Sequence, residues 1–232
     1  MLFNNELLSA VLKKRYKRFL ADVILDDGSM MTAYCPNTGS MRSCSAPGSK
    51  VLLSKSENKK RKYPYTLEMV RSGDTWVGVN TGLTNQIVVE AINQGKIHEL
   101  GQVEVVNTEV KVSSNSRLDV MVEAAGLKTY IEIKNCSLVE GEIAMFPDAV
   151  TARGTKHLYE LAKLVGRGHG GVIFYLVQRG DAKIFRPAVQ IDPVYAAALK
   201  EVAKQGVKVL VYQAAVKPSG IEVENSLPFS LI

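Results

Sequence analysis

The sequence predicts an α/β (α+β) protein with a small β-barrel over residues 1–82 and a larger α/β domain over residues 83–232. Two observations predict this division. Short apolar runs separated by turn residues fill the first part, whereas helical and strand patterns alternate after residue 82. Charge divides at the same place, because residues 1–80 hold 13 Lys and Arg against 7 Asp and Glu, whereas residues 81–232 hold 16 of each.

The N-terminal domain shows strand patterns and no helix of useful length. Turn signals at Asp26-Asp27-Gly28 and Ser72-Gly73 separate two pairs of these strands. Five short strands predict a small barrel, for which an OB-like fold is one solution and an SH3-like fold another. An OB-like face often binds single-stranded nucleic acid. The predicted strands are 15–25, 30–35, 50–54, 65–71 and 74–80.

The larger domain is predicted to contain a mixed central sheet. Its apolar run at 171–178 is typical of a buried central strand. Asp192-Pro193 is a strong helix start, since Asp caps a helix and Pro is favoured at its first position. The order α-β-β-β-α-β-α-β indicates an α/β architecture. The predicted elements are helix 83–94, strands 103–110, 116–123 and 128–138, helix 155–165, strand 171–178, helix 193–206 and strand 207–212.

Composition limits the class of protein. A hydrophobic content of 46% predicts a packed core. No apolar run approaches the roughly 18 residues of a membrane helix, and the basic residues near the N-terminus follow its apolar stretch, which is the wrong order for a secretory signal. We therefore expect a cytoplasmic protein without a membrane partner. Cys35, Cys44 and Cys136 lack metal-site spacing and are predicted to be reduced thiols.

The strands 116–123 and 128–138 carry the residues that predict chemistry. A hairpin centred on the loop 124–127 places Asp119 opposite Glu132 and Arg117 opposite Lys134. Because strand side chains alternate, these four residues are expected to share one face. The apolar side chains are expected on the other face: Leu118, Val120, Val122, Ile131 and Ile133.

Two opposed carboxylates repel each other, and a divalent cation between them removes the repulsion. Oxygen ligands suit Mg²⁺ or Mn²⁺, which activates water for phosphodiester hydrolysis. Asp119, Glu132 and Lys134 are thus the predicted catalytic residues, with Lys134 stabilising negative charge. The alternative is a plain solvated hairpin face on which basic residues neutralise the acids. Against it, Glu132 and Lys134 interrupt a strongly apolar strand.

Asp119 and the triplet Glu132-Ile133-Lys134, within this element order, resemble the PD-(D/E)XK nuclease superfamily. Across its length the chain resembles the sugar fermentation stimulation protein A family. The segments that carry this resemblance are RYKRFLADV at 15–23, CPNTGSM at 35–41, NKKRKYPYT at 58–66, SRLDVM at 116–121, YIEIKN at 130–135 and FPDAVTARGTKHL at 146–158.

The resemblance implies a DNA-binding protein with an N-terminal OB-like domain and a C-terminal nuclease-like domain. It also implies metal-binding acids at Asp119 and Glu132 and the superfamily's lysine at Lys134. This sequence departs from the superfamily pattern at Leu118, where a proline is usual.

Further residues are candidates for the same site. Glu90 on the first predicted helix and Glu109 at the end of the following strand are candidate metal ligands, although a solvated position explains Glu90 equally well. Arg153 and Lys156 open the helix after the segment 146–149 and are candidates to hold a phosphate. His157 beside them is more often structural than catalytic.

Basic residues interleaved with aromatic residues predict nucleic-acid contacts in the barrel, because cations follow the backbone and rings stack on bases. The alternative is a solvated face or a barrel edge protected by lysine. A turn at 37–39 offers backbone amides to a phosphate. The predicted contacts in this domain are Arg15, Tyr16, Lys17, Arg18, Asn37, Lys60, Arg61, Tyr63 and Tyr65.

The sequence supports three functional hypotheses. The first is a DNA-binding protein with a Mg²⁺- or Mn²⁺-dependent phosphodiesterase site. The second is a non-catalytic DNA-binding regulator, which by family resemblance controls sugar metabolism genes. The third is an RNA-binding or RNA-processing protein. The preference for single- or double-stranded DNA and the oligomeric state are left open.

Overall fold

The computed structural model describes residues 1–113 and 115–232. The N-terminal domain is a barrel of five strands closed by pairing of β3 with β5, with a sixth strand added beside β5 in the order β3-β2-β1-β4-β5-β6. This confirms the predicted OB-like barrel. Its strands are β1 (Leu8–Tyr16), β2 (Leu20–Ile24), β3 (Met30–Tyr34), β4 (Lys50–Lys55), β5 (Tyr65–Ser72) and β6 (Thr75–Gly78).

One predicted barrel strand was wrong, and another is a strand that lies outside the closed barrel. The run 15–25 is a hairpin instead of one strand, because Lys17 and Arg18 adopt left-handed backbone angles with φ of 49° and 62°. This turn contains neither glycine nor asparagine, so it could not be predicted from the residues that usually indicate a hairpin turn. The predicted fifth strand corresponds to β6, which lies outside the closed barrel, and β1 from Leu8 takes its place.

The larger domain has a six-stranded sheet in the order β15-β14-β12-β9-β8-β7. Its central strands β9, β12 and β14 are parallel, and the outer strands are antiparallel to their neighbours, as predicted for a mixed sheet. The elements are α1 (Thr84–Asn93), β7 (Val105–Ser113), β8 (Ser116–Ala124), β9 (Leu127–Cys136), β10 (Leu138–Glu140), β11 (Ile143–Phe146), α2 (Ala152–Val165), β12 (Gly170–Val177), β13 (Ile184–Pro187), α3 (Pro193–Lys204), β14 (Lys208–Lys217) and β15 (Gly220–Ser226).

Helices cover both faces of this sheet. Ile87 and Val88 of α1 pack into the core on one face, whereas Leu158 of α2 and Leu199 of α3 pack on the other. Helix α3 begins as predicted, with the Asp192 side chain accepting the amide of Tyr195. Helix α2 begins at Ala152, three residues earlier than predicted, because Thr151 caps it. Strands β10, β11, β13 and β15 were not predicted.

Partly buried hydrogen bonds join the two domains. The Ser43 hydroxyl donates to the carbonyl of Ser137 at 3.2 Å and accepts the amide of Val139 at 3.2 Å. The Arg179 guanidinium also donates to Ser43 at 3.1 Å. Leu52 and Met69 of the barrel belong to the core beneath α1, so apolar packing continues across the interface.

Within the ranges described, no helix combines the length and the hydrophobicity that a bilayer crossing requires.

Candidate active site

The hairpin of β8 and β9 has the predicted register. Val120 lies opposite Ile131 and Met121 opposite Tyr130. Pairing ends at Val120 and Ile131, so the two strands separate just before Asp119 and Glu132. A gap between separating strands leaves room for side chains to approach each other at the sheet.

Asp119 fills this gap. Its carboxylate accepts the Ile133 amide at 2.7 Å, in place of a strand carbonyl, and accepts the Asn85 amide of α1 at 3.0 Å. Burial raises the pKa of Asp119, and the charge of Glu132 raises it further. The raised pKa of Asp119 therefore reflects the free-energy cost of a second negative charge buried near Glu132.

Glu132 is 3% exposed and points toward α2. Its Oε1 accepts Lys134 Nζ at 2.5 Å and contacts His157 Nδ1, while its buried Oε2 has no hydrogen-bond partner among the described residues. Burial alone would raise the pKa of Glu132, but His157 and Lys134 outweigh it and the net pKa is lowered. Glu132 is therefore held as a carboxylate with one oxygen free.

The carboxylate pair of Asp119 and Glu132 fits a hard divalent cation. An ion would supply a partner for Glu132 Oε2 and offset the repulsion that raises the pKa of Asp119. Among residues 1–113 and 115–232, no group of three or more His, Cys, Asp or Glu side chains is placed to hold a metal. Mg²⁺ tolerates such a site, since it commonly binds one or two carboxylates and retains water.

Glu90 and Glu109 do not join the carboxylate pair. The Glu90 carboxylate lies 2.6 Å from the amine of Met1. Glu109 is exposed and lies 3.6 Å from Arg117, with a left-handed φ of 55°. The residue of α1 that reaches Asp119 is Asn85, which sequence reasoning missed because an asparagine on a helix has no distinctive spacing.

The expected separation of polar and apolar faces is wrong at one point. Leu118 packs into the core beneath α2 and α3, whereas Val120 packs beneath α1. Strict alternation therefore fails between residues 118 and 120, where the pairing with β7 skips Asp119. As a result Asp119 bonds Asn85 of α1, whereas Glu132 contacts His157 of α2.

Two predicted nucleic-acid contacts are used internally. The Arg15 guanidinium donates to the carbonyls of Arg18, Asn37, Gly39 and Ser40 at 2.6–3.2 Å. Asn37 is 3% exposed; its amide donates to Val79 and its oxygen accepts the Gly39 amide. Both residues therefore shape the loop 37–40.

Other predicted contacts remain accessible. Lys17, Arg18, Lys60 and Arg153 are exposed, and the exposed Lys156 donates to the Asn115 carbonyl at 2.8 Å. Basic groups rest on tyrosine rings in the barrel, an arrangement that holds the cations at the surface. These pairs are Lys14 over Tyr16, Arg61 over Tyr34, Lys62 over Tyr63 and Lys55 over Tyr65, with separations of 5.1–6.0 Å.

A cleft of about 420 Å³ lies between the two domains, and we call it the interdomain cleft. Lys134 lines it and connects it with the carboxylate pair, because its Nζ bonds Glu132. Sequence reasoning missed the cleft, since it joins segments far apart in the chain. Its walls are Arg18 and residues 37–39 from the barrel and residues 147–151 from the larger domain.

Comparison with known proteins decides the family. The family model described as the SfsA N-terminal OB domain matches residues 14–79, and the model of the sugar fermentation stimulation protein RE domain matches residues 82–220. The chain belongs to the sugar fermentation stimulation protein family. Together the two models account for most of its length.

Relatives of this family resemble the chain along its whole length. A sugar fermentation stimulation protein homolog of Desulfotalea psychrophila is 58% identical, over 92% of this chain and 91% of the relative. A homolog of Pelobacter propionicus is 50% identical, over 97% and 98%. The solved structure of Pyrococcus furiosus SfsA in complex with Ca²⁺ superimposes with a TM-score of 0.90 at 26% identity, over 99% of this chain and 98% of that one.

Proposed function

We propose that the protein binds DNA and hydrolyses phosphodiester bonds with a divalent cation held by Asp119 and Glu132. The main support for this proposal is the buried Oε2 of Glu132, which has no hydrogen-bond partner among the described residues. The raised pKa of Asp119, to which the Glu132 charge contributes, supports it as well. The solved structure of P. furiosus SfsA in complex with Ca²⁺ supports a divalent cation as part of the proposal. Mg²⁺ or Mn²⁺ is the proposed cofactor, as expected for a PD-(D/E)XK nuclease-like site.

Each side chain has a distinct role in this proposal. When bound, the ion polarises a phosphate oxygen and makes its water a better nucleophile. Lys134 offers a positive charge to the phosphate from the interdomain cleft. His157 fixes Glu132 by holding Oε1, which leaves Oε2 for the ion. The exposed cations of the barrel attract the DNA backbone.

DNA is the proposed partner, because the excess positive charge lies in a domain of OB type. The cytoplasm is the proposed compartment, since Cys35, Cys44 and Cys136 are free, as in proteins of reducing compartments.

The test is a cleavage assay with circular single-stranded DNA and supercoiled plasmid in Mn²⁺ or Mg²⁺. We expect Asp119→Asn and Lys134→Met to lower the rate about a hundredfold or more, since the first removes a ligand of the ion and the second a positive charge beside the phosphate. Asp26→Asn and Lys200→Met are matched controls at exposed positions. Equal cleavage by all five proteins would show that a contaminating nuclease or another site is responsible.

A second function is a non-catalytic DNA-binding regulator. One observation favours it: the Lys134 ammonium already compensates the Glu132 charge at 2.5 Å, so the site is neutralised in part without an ion. In that case wild type and Asp119→Asn show the same negligible cleavage while both retain DNA binding.

A further inference from the structure

The interdomain cleft limits the form of nucleic acid that can reach Lys134. Its volume of about 420 Å³ lies within the range of roughly 300–1,000 Å³ found for pockets that hold small molecules. One nucleotide fits such a space, whereas stacked base pairs do not. An unpaired nucleotide in this space would lie beside Lys134, which lines the cleft and has a side chain that is 15% exposed.

The barrel wall of the cleft is fixed. Arg15 ties Arg18 at the tip of the β1–β2 hairpin to the loop 37–40 by donating to carbonyls of both segments. Asn37 ties the same loop to Val79 at 3.2 Å. These bonds hold the hairpin tip and the loop as one unit.

The opposite wall is bonded to the barrel wall. The Asp148 carboxylate accepts the Met41 amide at 3.1 Å and the Ser40 hydroxyl at 3.3 Å. The contact is so close that a Cβ atom at Gly39 would collide with the Asp148 carboxylate. Opening the cleft to admit a duplex would break these bonds together with those of Ser43 to Ser137 and Val139.

The cleft offers groups that suit an unpaired strand. Arg18 and Lys134 supply positive charge for phosphates, and Val150 is a 76% exposed apolar side chain in the opposite wall. Phe19 follows Arg18 in the chain and lies outside the cleft lining; it is 46% exposed, and an exposed ring can stack on a base. A duplex has no free base faces for such contacts.

We infer that the site takes single-stranded DNA, one nucleotide of which enters the interdomain cleft beside Lys134, and that intact duplex is not a substrate. This inference rests on the proposed function for the position of the reacting phosphate. The groups named here contact backbone and base faces without reading the sugar, so RNA of the same sequence is added to the binding experiment, and tighter binding of RNA than of DNA would overturn the choice of DNA.

The first experiment compares three end-labelled substrates of one sequence with the full chain in Mn²⁺: a single strand, a duplex and a duplex with a single-stranded overhang. We expect the single strand to be cut at least about tenfold faster than the duplex, and the overhang to be cut only up to the junction. Equal cleavage of strand and duplex would overturn the inference. Cleavage of none of the three would count against the proposed function. Entry of a single strand into the cleft would then be decided by the binding experiment that follows.

The second experiment blocks the cleft and measures binding in Ca²⁺. Val150→Cys provides one accessible thiol, since Cys35, Cys44 and Cys136 are all buried. Attachment of a bulky neutral maleimide should weaken binding of the single strand at least about tenfold and leave duplex binding unchanged. Val194→Cys, at a 66% exposed valine at the start of α3, is the matched control and should bind normally after labelling. Unaltered single-strand affinity of labelled Val150→Cys would refute the inference whether or not the protein cleaves DNA.

Discussion

Most cations of the barrel lie at the surface, whereas the larger domain buries both an anion and a cation. Lys60 is exposed and Arg61 lies over a tyrosine ring at 5.3 Å, but Glu132 and Arg179 are both only 3% exposed. Exposed charges cost little stability and act on ligands through their field. Buried charges cost desolvation energy, so their removal changes folding as well as chemistry. The two domains should thus respond differently to loss of charge.

The largest expected effect is on stability, at Arg179. This side chain forms two 2.6 Å bonds with Asp181 and donates to Ser43 and the Ser137 carbonyl. Arg179→Met should lower the free energy of unfolding by about 3 kcal/mol, because buried bonds to a charged group are lost. Urea denaturation measures the change. Lys183→Met, in an exposed pair with Glu142, should cost under about 0.5 kcal/mol, and equal losses would contradict the comparison.

The next effect is on DNA binding and leaves the stability of the protein unchanged. Lys59→Glu with Lys60→Glu should weaken single-strand binding about tenfold or more and reduce the slope of log affinity against log salt by about 1.4, since each phosphate contact contributes about 0.7. Fluorescence anisotropy at several salt concentrations measures both. The unfolding free energy should stay within about 0.5 kcal/mol. Lys200→Glu with Lys204→Glu, on exposed positions of α3, should leave the slope unchanged if the barrel is the binding surface.

A smaller effect, of opposite sign, is expected at Asp119. Because burial and then Glu132 raise the pKa of Asp119, the folded state holds its proton more tightly than the unfolded chain. The protonated Asp119 carboxyl therefore stabilises the folded state below the ordinary pKa of 3.8, and this contribution is lost as pH rises through the folded-state pKa. At pH 7 the charge is therefore unfavourable, and Asp119→Asn should stabilise the metal-free protein by about 1 kcal/mol.

This gain at Asp119 should disappear near pH 3, where wild type is protonated. Urea unfolding at both pH values measures it, with Asp26→Asn as the exposed control. Added Mn²⁺ should stabilise wild type but not Asp119→Asn. Stabilisation of both proteins by Mn²⁺ would place the ion elsewhere.

The smallest effect is expected at the β1–β2 turn. Lys17 and Arg18 hold left-handed angles that Asn-Gly adopts more readily. Lys17→Asn with Arg18→Gly should raise the free energy of unfolding by about 0.5 kcal/mol and weaken DNA binding. Arg18→Ala keeps the strained angle and should weaken binding without the gain. Thermal melts and anisotropy distinguish the two variants, and a loss of stability in the first would argue that these side chains pack.

The pattern of apolar runs, turns and loops was sufficient to predict the barrel, the mixed sheet and the register of β8 and β9. It was not sufficient where the backbone departs from regular geometry. The turn at Lys17 and Arg18 carries no turn residue, and strands such as β11 with four residues are too short for a periodic signal. Partners brought by tertiary packing, such as His157 for Glu132, leave no trace in spacing.

The net charge of the barrel was informative, but it did not show which individual basic residues are available to a ligand. The excess of cations in the barrel is real, but Arg15 directs its guanidinium at four carbonyls and Asn37 is buried. Sequence composition gives the field around a domain. Which cations are available for a ligand depends on neighbours that only the fold supplies.

The bonds of Ser43 also bear on how the chain matures during translation. Its partner carbonyl on Ser137 is 94 residues away, and the guanidinium of Arg179 is 136 residues away. At the usual speed of a ribosome, the later partner is synthesised about 10 s after the serine. Throughout that interval Leu52 and Met69 of the nascent barrel lack some of the core residues that cover them in the folded protein. A chaperone has time to bind this exposed apolar surface.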